Sequence, residues 1–166
     1  MDIYVFDRNL NFIGNTDKFT SLQWIRRYHQ AGKFELHCPV TTDTVQMLKK
    51  NNLIWIQGSD EVGIIQYRNL FTDETGKEVL KIIGKFYTSI LDRRIMYSTE
   101  QYINKNAEII MRNIVENNAI NATTGRELPI LLGQFNNFSN KIDYQKSYGN
   151  VLEELIAISE TTDIGF

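Results

Sequence analysis

The side chains with the strongest potential for chemistry are few and lie close together in the sequence. His29, His37 and Cys38 are the two histidines and the one cysteine of the chain. A zinc site needs three or four nitrogen or sulfur ligands around one ion. In a β-hairpin that turns near Ala31, the two imidazoles are not paired, and Cys38 points to the opposite face from His37. The spacing therefore predicts no metal site, and Cys38 is interpreted as a small buried residue.

Acidic side chains are adjacent at two places, Asp60-Glu61 and Glu153-Glu154. Neighbouring residues do not face each other on a strand or a helix, so neither pair has the geometry of a glycosidase dyad. Glu153 follows Asn150 by three residues, which is the spacing of a helix capping box. The sequence has no serine in a nucleophile elbow and no glycine-rich phosphate loop. We therefore predict that the chain has no catalytic residues and binds no cofactor.

Aromatic and arginine side chains are concentrated in the stretch Leu22–Pro39, LQWIRRYHQAGKFELHCP. Its apolar and polar residues alternate with a period of two on both sides of Gly32, which predicts a β-hairpin with a turn at residues 30–32. Trp24 is predicted to be a core residue that faces the same side as Leu22. The return strand is predicted to place Phe34, Leu36 and Cys38 on one face.

Two pairs of adjacent arginines, Arg26-Arg27 and Arg93-Arg94, flank the predicted β-rich core. Adjacent residues on a strand point to opposite faces, so one arginine of each pair is predicted to point inward or across a subunit interface, next to an acidic partner. The alternative, which the pattern alone favours, is an edge hairpin with ordinary solvated charges. The interface candidates are Trp24, Arg26, Arg27, Tyr28, Asp92, Arg93 and Arg94, and the candidate acidic partners are Glu35, Asp7 and Asp92.

The composition is that of a globular chain without a strong charge bias. The 166 residues are 42% hydrophobic and 11% aromatic, and the formal net charge is −2. This argues against a general nucleic-acid binder and favours core packing over base stacking for the strand aromatics. The single cysteine excludes an internal disulfide and favours a reducing compartment. The N-terminal residues lack a signal-peptide pattern, and no apolar run approaches the roughly 18 residues of a membrane helix.

The first part of the chain is predicted to contain six or seven strands and one short helix. Strands are predicted in residues 2–14 as a hairpin, 22–39 as a hairpin, 53–57, and 61–86 as a hairpin. Residues 41–52 are predicted to form the helix, capped by Thr42 or Asp43. Gly63 and Gly84 fall inside strands, which indicates bulges or close backbone approach. The regular spacing of short strands indicates a barrel or a sandwich.

The second part of the chain mixes helices and strands. The predicted elements are a crossing segment at 87–103, helices at 105–117 (capped by Asn104 or Asn106) and from Asn150 onward, and strands at 128–135, 141–145 and 164–166. The predicted fold class is therefore α+β. Residues 1–95 form a β-rich, barrel-like domain with one short helix, and residues 96–166 form a smaller α+β domain that is incomplete at its C-terminal end.

The order of short motifs along the chain resembles a known family. The motifs are DIYVFD, SLQWIRRY, GKFEL, LIWI, EVGIIQY, SILDRR and KIDYQ-x-SY-x-NVLEEL. In this order they resemble the N-terminal region of siphophage tail proteins of the baseplate-hub or tail-associated-lysin type, found in phages and prophages of Gram-positive bacteria. The resemblance covers essentially the whole chain, and the motifs are specific as a set, not singly.

The resemblance implies barrel-like tail-tube domains with an inserted α+β domain, assembled as a homotrimer. Two barrels per subunit then make a pseudo-sixfold ring, and this chain lacks a second barrel. Such a ring continues the tail tube and passes DNA through its lumen without specific binding. The implied partners are other copies of the protein and other tail proteins, such as the distal tail and tape-measure proteins. The implied location is the tail tip or baseplate of the virion, after assembly in the cytoplasm of the bacterial host. No membrane is involved.

Two other classes of function are consistent with the sequence alone. One is a fragment of a cell-wall hydrolase, which needs an acid or a nucleophile with a perturbed pKa in a cleft. The other is a sugar-binding or cell-wall-binding module that uses surface aromatic residues. The resemblance assigns no enzymatic activity to these residues, since lytic domains lie further along the longer members. We therefore predict that this chain is not an enzyme.

Overall fold

The computed structural model describes residues 1–166, and their contacts divide the chain into two compact units. The first unit contains residues 1–27 and 31–88, and the second contains residues 28–30 and 89–166. The mixture of antiparallel sheet and helices confirms the predicted α+β class. The domain boundary predicted after residue 95 stays a prediction, because a division by contacts describes packing and does not test independent folding.

Seven strands and one short helix build the first unit. The strands are β1 (Ile3–Phe6), β2 (Phe12–Thr16), β3 (Ser21–Ile25), β4 (Lys33–Pro39), β5 (Leu53–Ile56), β6 (Val62–Thr72) and β7 (Glu78–Phe86). They form one antiparallel sheet in the order β2-β1-β5-β6-β7-β4-β3. The helix α1 (Thr42–Met47) is capped by Thr41, whose hydroxyl accepts a hydrogen bond from the Thr44 amide. The predicted caps, Thr42 and Asp43, are therefore wrong.

The sheet is open, which corrects the prediction of a barrel or a sandwich. β2 and β3 are its edge strands, and each pairs with only one neighbour. A barrel requires its first and last strands to pair, and regular spacing along the sequence does not specify that closure. The strand count and the hairpins predicted at 2–14, 22–39 and 61–86 are confirmed as β1–β2, β3–β4 and β6–β7.

The connection between β3 and β4 is longer than predicted. The ladder ends at the pair Ile25–Lys33, so residues 26–32 form a loop. Arg26 and Tyr28 therefore lie outside β3, although in the sequence they continue the period of two that begins with Leu22 and Trp24. The hairpin itself is right, and its turn is misplaced because the alternation of residues 22–29 does not reveal where the hydrogen-bonded ladder ends.

Glycines allow aromatic rings to pack directly on backbone in this unit. A Cβ atom on Gly63 or Gly84 would lie 2.4 Å or 2.5 Å from the Phe34 ring, which covers both strands. A Cβ atom on Gly32 would lie 2.4 Å from the Phe86 ring. The predicted close backbone approach at Gly63 and Gly84 is therefore confirmed, and both aromatic rings are almost fully buried.

The core of the first unit combines residues of the sheet with residues of α1 and its C-terminal end. Its buried members are Ile3, Val5, Phe34, Leu36, Cys38, Met47, Leu48, Ile54, Ile65, Leu80, Ile82 and Phe86. The predicted inward face of the return strand is thus confirmed. Burial raises the pKa of the Cys38 thiol to about 11, so the thiol stays protonated and unreactive at neutral pH.

The second unit contains a two-stranded sheet and two longer helices. A 3₁₀ helix (Tyr87–Arg93) leads to β8 (Glu100–Asn106), α2 (Ala107–Val115), a π-helical turn (Glu116–Ile120), β9 (Lys141–Lys146) and α3 (Val151–Thr162). β8 and β9 pair antiparallel, with Tyr102 opposite Tyr144. Asn106 and Asn150 cap α2 and α3, as predicted, and each side-chain oxygen accepts from the amide three residues further on.

The strand predicted at residues 128–135 is wrong, because residues 121–140 form an irregular connection. The alternating apolar side chains that suggested a strand do pack against the core of this unit; they are Leu128, Ile130 and Leu132. They have no strand beside them to complete a ladder. The partner of β9 is instead β8, whose polar sequence EQYINKN gave no strand signal. Residues 164–166 are likewise irregular.

Candidate assembly surfaces

Trp24 lies at the margin of the first unit's core. It is half-buried, and its ring centroid is 5.6 Å from that of Phe34 and 4.7 Å from that of Phe86. Its indole Nε1 donates a hydrogen bond to Ser59 Oγ at 3.1 Å, while Trp55 Nε1 donates to the Ser59 carbonyl oxygen at 2.8 Å. Ser59 thus fixes tryptophans from two strands, and both indole donors are satisfied.

Arg26 and Arg27 lie in the loop after β3 and are exposed. The Arg26 guanidinium is 3.8 Å from the Asp60 carboxylate and 4.0 Å from the Glu61 carboxylate, and 62% of its side chain is exposed. Exposed ion pairs of this kind contribute about 0–1 kcal/mol to stability. Neither arginine points inward, because the loop does not alternate as a strand does. Contact across a subunit interface is the role that stays a prediction for this pair.

Tyr28 and His29 contact the end of α3 within the second unit. Tyr28 Oη donates to the Asp163 carbonyl oxygen at 3.2 Å, and a Cβ atom on Gly165 would lie 2.6 Å from the Tyr28 ring. His29 Nδ1 is 2.7 Å from Ser159 Oγ, and His29 Nε2 is 3.4 Å from Asp163 Oδ1. These contacts join residues about 130 positions apart, so no spacing in the sequence signals them.

Serine, histidine and aspartate side chains in one chain of contacts are the residue types of a hydrolytic triad. Ser159 is completely buried, so no substrate carbonyl can approach its Oγ. The Asp163 side chain is 88% exposed, and water competes with it for the imidazole. The arrangement therefore fastens Tyr28 and His29 to α3 and does not form a nucleophile.

The second arginine pair lies at the start of the second unit. The Asn150 side-chain Nδ2 donates to the Asp92 carbonyl oxygen at 2.9 Å and to its Oδ1 at 3.1 Å. Arg94 Nε donates to the Arg126 carbonyl oxygen at 2.6 Å, and Arg94 is half-buried while Arg93 is exposed. Arg94 is therefore held by backbone oxygen, and the carboxylate of Asp92 is used to hold the helix cap.

The two other acids predicted as arginine partners have different contacts. Glu35 Oε1 accepts from Lys81 Nζ at 2.7 Å and lies 2.8 Å from His37 Nε2. The hydrogen bond from Lys81 is the main reason that the pKa of Glu35 is lowered. Asp7 accepts hydrogen bonds from its own turn. The pairing of these two acids with arginine stays a prediction. The cross-strand register of β4 and β7 decides the Glu35–Lys81 pair.

Two buried carboxylates of the second unit bind tyrosine hydroxyls. Tyr102 Oη donates to Glu100 Oε2 at 2.6 Å, and Tyr144 Oη donates to Glu154 Oε2 at 3.1 Å. Lys146 Nζ lies 2.9 Å from Glu154 Oε1. Burial and then the Glu154 carboxylate raise the pKa of Tyr144 well above its ordinary value. These groups satisfy one another, so they stabilise the unit and are not poised for proton transfer.

The turn between β1 and β2 exposes apolar side chains. Leu10 and Phe12 are 69% and 58% exposed, and Ile13 follows at 44%. The turn is held by the Asp7 carboxylate, which accepts from the amides of Asn9 and Asn11 at 2.8 and 2.9 Å. The hydrogen bonds from Asn11 and Asn9 lower the pKa of Asp7. This surface was not among the predicted interface residues.

The geometry offers surfaces for protein contact more readily than a site for chemistry. No group of three or more His, Cys, Asp or Glu side chains is placed to hold a metal ion. None of the helices has the length and apolar character needed to cross a membrane. What the chain presents is an open sheet, exposed loop arginines and an exposed apolar turn.

Comparison with solved structures shows that the fold is similar to that of a prophage tail protein. The prophage tail protein gp18 from Listeria monocytogenes EGD-e aligns with a TM-score of 0.59 and 13% sequence identity, over 94% of this chain and 45% of that one. The tail protein from Neisseria meningitidis MC58 aligns with a TM-score of 0.48 and 15% identity, over 96% of this chain and 45% of that one, a similarity too low to establish a shared fold. The chain spans less than half the length of either protein.

The family model described as Siphovirus ReqiPepy6 Gp37-like protein matches residues 2–166, and the chain belongs to this family. The predicted resemblance to siphophage tail proteins is thereby confirmed. No curated protein matches the sequence.

Proposed function

We propose that the chain is a structural subunit of a phage tail tip or baseplate hub, where it forms part of a ring that continues the tail tube and passes DNA. The observation that carries the proposal is the open sheet of a siphovirus-family chain, with both edges unpaired. An unpaired edge strand is a template for another chain. Monomeric proteins protect such edges with charge or proline, and neither β2 nor β3 contains either.

The arrangement of these edges supports the proposed ring. Each copy offers two different edges, so contact between copies is heterologous, and heterologous contacts close into a ring when the rotation permits. In the proposed assembly three copies surround the lumen, and the lumen belongs to the assembly, because the sheet of one copy is open. A pseudo-sixfold ring needs two tube domains from each copy, and this chain supplies one of them. The exposed Arg26 and Arg27 then have a place in subunit contacts.

The chain's charge suits a conduit for DNA. Its 18 basic and 20 acidic side chains give a net charge of −2. Affinity for DNA rises with the number of phosphates that Lys and Arg neutralise, so a neutral lumen lets DNA move. The proposed partners are other copies of the chain and neighbouring tail proteins, such as distal tail and tape-measure proteins, in the virion.

The proposal includes no enzymatic activity for these residues. Membership of a siphovirus family and the fold of a tail protein support a structural role. The one Ser-His-Asp contact has an inaccessible serine hydroxyl. The buried Glu100 and Glu154 are bound to tyrosines, and the buried Glu108 accepts from the Asn136 and Phe138 amides. A cell-wall hydrolase fragment or a sugar-binding module has no comparable support in the described contacts.

Immunogold electron microscopy of virions tests the proposed location. Antibodies against residues 1–166, applied to intact particles and to particles with mildly disrupted tails, are expected to label one end of the tail, opposite the head. An antibody against the major tail-tube protein serves as the control and should label along the disrupted tube. Label spread along the tail, or absent from washed particles, would reject a role at the tip.

A further inference from the structure

We propose that the turn between β1 and β2 is a rigid contact through which one copy of the chain binds the next. We define the apolar tip as Leu10, Phe12 and Ile13. The inference rests on the proposed function, because it requires that copies of the chain assemble. The proposed function does not say which surface makes the contact; here it is the apolar tip, held rigid by the hydrogen bonds of its turn.

The exposure of the apolar tip is the first observation. Leu10, Phe12 and Ile13 are 69%, 58% and 44% exposed, within four consecutive positions of one turn and one strand. A single exposed apolar residue is ordinary, but clustered ones mark interaction sites. Burial of these side chains in a partner removes apolar surface from water, which favours association.

The backbone of the turn is the second, independent observation. Leu10 has a φ of +65°, a left-handed conformation that a leucine rarely adopts and that glycine adopts freely. The conformation is held by the Asp7 side chain, which accepts hydrogen bonds from the Asn9 amide, the Asn11 amide and Asn11 Nδ2 at 2.8–2.9 Å. A strained residue that its surroundings hold in place is a sign of function.

The position of the apolar tip indicates a second copy as the partner. Phe12 is the first residue of the edge strand β2, so a chain that pairs with β2 also meets the tip. The opposite edge, β3, ends at Ile25, which is 37% exposed. Both edges are uncharged, and each carries an exposed apolar side chain. A contact between the β2 edge of one copy and the β3 edge of the next therefore joins apolar surface to apolar surface.

A fixed turn also limits the loss of entropy on binding. A loop that is already ordered by internal hydrogen bonds has little freedom to lose when a partner covers it. Glycine at position 10 would be the natural residue for folding alone. Leucine at this position strains the backbone and exposes an apolar side chain. The exposed side chain contributes to stability only when another surface covers it.

The variant Leu10→Gly separates contact from folding. Glycine relieves the left-handed strain, so the thermal unfolding midpoint should equal or exceed that of the wild type. The same change removes the exposed side chain, so the dissociation constant for self-association, measured by sedimentation velocity over a concentration series, should rise at least tenfold. Phe12→Thr should weaken self-association in the same direction, since threonine is compatible with a strand. The Phe12 ring also lies 5.7 Å from that of Phe6, so the unfolding midpoint of this variant is measured alongside.

Leu131→Gly is the matched control, because it makes the same chemical change at a leucine that is 93% exposed and has no positive φ. It should leave self-association as in the wild type. If the wild type self-associates and Leu10→Gly and Phe12→Thr do so equally well, this inference is wrong and the proposed function stands. If the wild type remains monomeric at every concentration, self-assembly of this chain and the contact proposed for the apolar tip are both contradicted.

Discussion

Phe34 shows how one side chain constrains the residues around it. Its ring lies over Gly63 on β6 and Gly84 on β7, the two strands that follow β4 toward the middle of the sheet. Glycine inside a strand normally weakens it. The sequence therefore indicated that the glycines had a packing role, but it could not name the ring above them, because that contact depends on the pairing of β4, β6 and β7.

At Gly84 the structure gives a sharp mutational expectation. A Cβ atom there would lie 2.0 Å from the Ile64 carbonyl oxygen and 2.5 Å from the Phe34 ring. Gly84→Ala should therefore lower the free energy of unfolding by about 1–3 kcal/mol, the range of overpacked cores. Gly133→Ala is the control, since nothing lies within 4 Å of its added Cβ. Urea unfolding that gives equal midpoints for the two variants would contradict the packing described for Phe34.

Glu35 gives a pH-dependent expectation. Its carboxylate is bound by Lys81 and lies beside His37, and its pKa is lowered, so the bonds stabilise the fold above the ordinary glutamate pKa near 4.5. This stabilisation is lost as pH falls through the lowered native pKa. Glu35→Gln should lower the free energy of unfolding at pH 7 by about 1 kcal/mol and by much less at pH 3.

Glu78→Gln, at an exposed position on β7, is the control for that experiment. Urea unfolding at pH 7 and at pH 3 measures both variants and the wild type. An equal effect of Glu35→Gln at the two pH values would show that the side chain acts by packing and not by its charge.

At the scale of elements, the sequence predicts features that depend on neighbouring residues better than it predicts which strands pair. The hairpins and the caps of α2 and α3 were predicted because turn residues, alternation and a capping asparagine act over a few positions. The cap of α1 was placed one or two residues too late, since several neighbouring residues can cap equally well. The strand β8 was missed and a strand at 128–135 was predicted wrongly. Alternation shows that side chains face a core, but a strand also needs a neighbour, and the neighbour of β9 lies about 40 residues earlier in the sequence.

The N-cap of α3 allows a quantitative test at this scale. Asn150 caps the helix through the Glu153 amide and donates two hydrogen bonds to Asp92, which tie the helix to the preceding 3₁₀ helix. Asn150→Ala should lower the free energy of unfolding by about 1–2 kcal/mol, the range of lost N-caps. Asn69→Ala, at an exposed position on β6, should change it by less than about 0.5 kcal/mol. Thermal unfolding of both variants measures the difference, and equal midpoints would contradict a capping role.

The candidate interface residues illustrate the limit of prediction at a site. Trp24 and the exposed arginines were named from residue type and alternation, yet Arg26 lies in a loop and pairs with Asp60 and Glu61. The apolar tip was not named, because a positive φ at Leu10 leaves no mark in the residue types around it. Exposure and strain are properties of the folded chain, and they became visible only there.

At the scale of the whole molecule, the prediction of a barrel failed for a physical reason. A barrel and an open sheet use the same strands, and only the pairing of the first and last strands separates them. In this chain β2 and β3 remain edges. In the proposed ring, contacts between copies close the wall around the lumen. Such contacts between copies are not encoded in the local pattern of one sequence.

The behaviour of the chain toward DNA also belongs to this scale. We expect no measurable binding of duplex DNA at physiological salt, because the net charge is −2 and the exposed Arg26 is already near two carboxylates. Fluorescence anisotropy of a labelled duplex over a salt series measures the binding, with Arg26→Ala as the comparison variant. A conduit that does not hold DNA would be contradicted by tight binding that weakens in this variant. The logarithm of the binding constant would then fall with the logarithm of the salt concentration, with a slope of about −0.9 per phosphate contacted.

The central claim is that this chain forms part of a ring in the tail tip, and cryo-electron microscopy of intact virions tests it most directly. We expect the tail tip to contain a ring at the end of the tail tube, with three copies of this fold arranged around the lumen and the β2 edge of each facing a neighbour. A tail tip whose ring density cannot accommodate the seven-stranded sheet, or in which the sheet lies outside the tube as an isolated appendage, would contradict the claim.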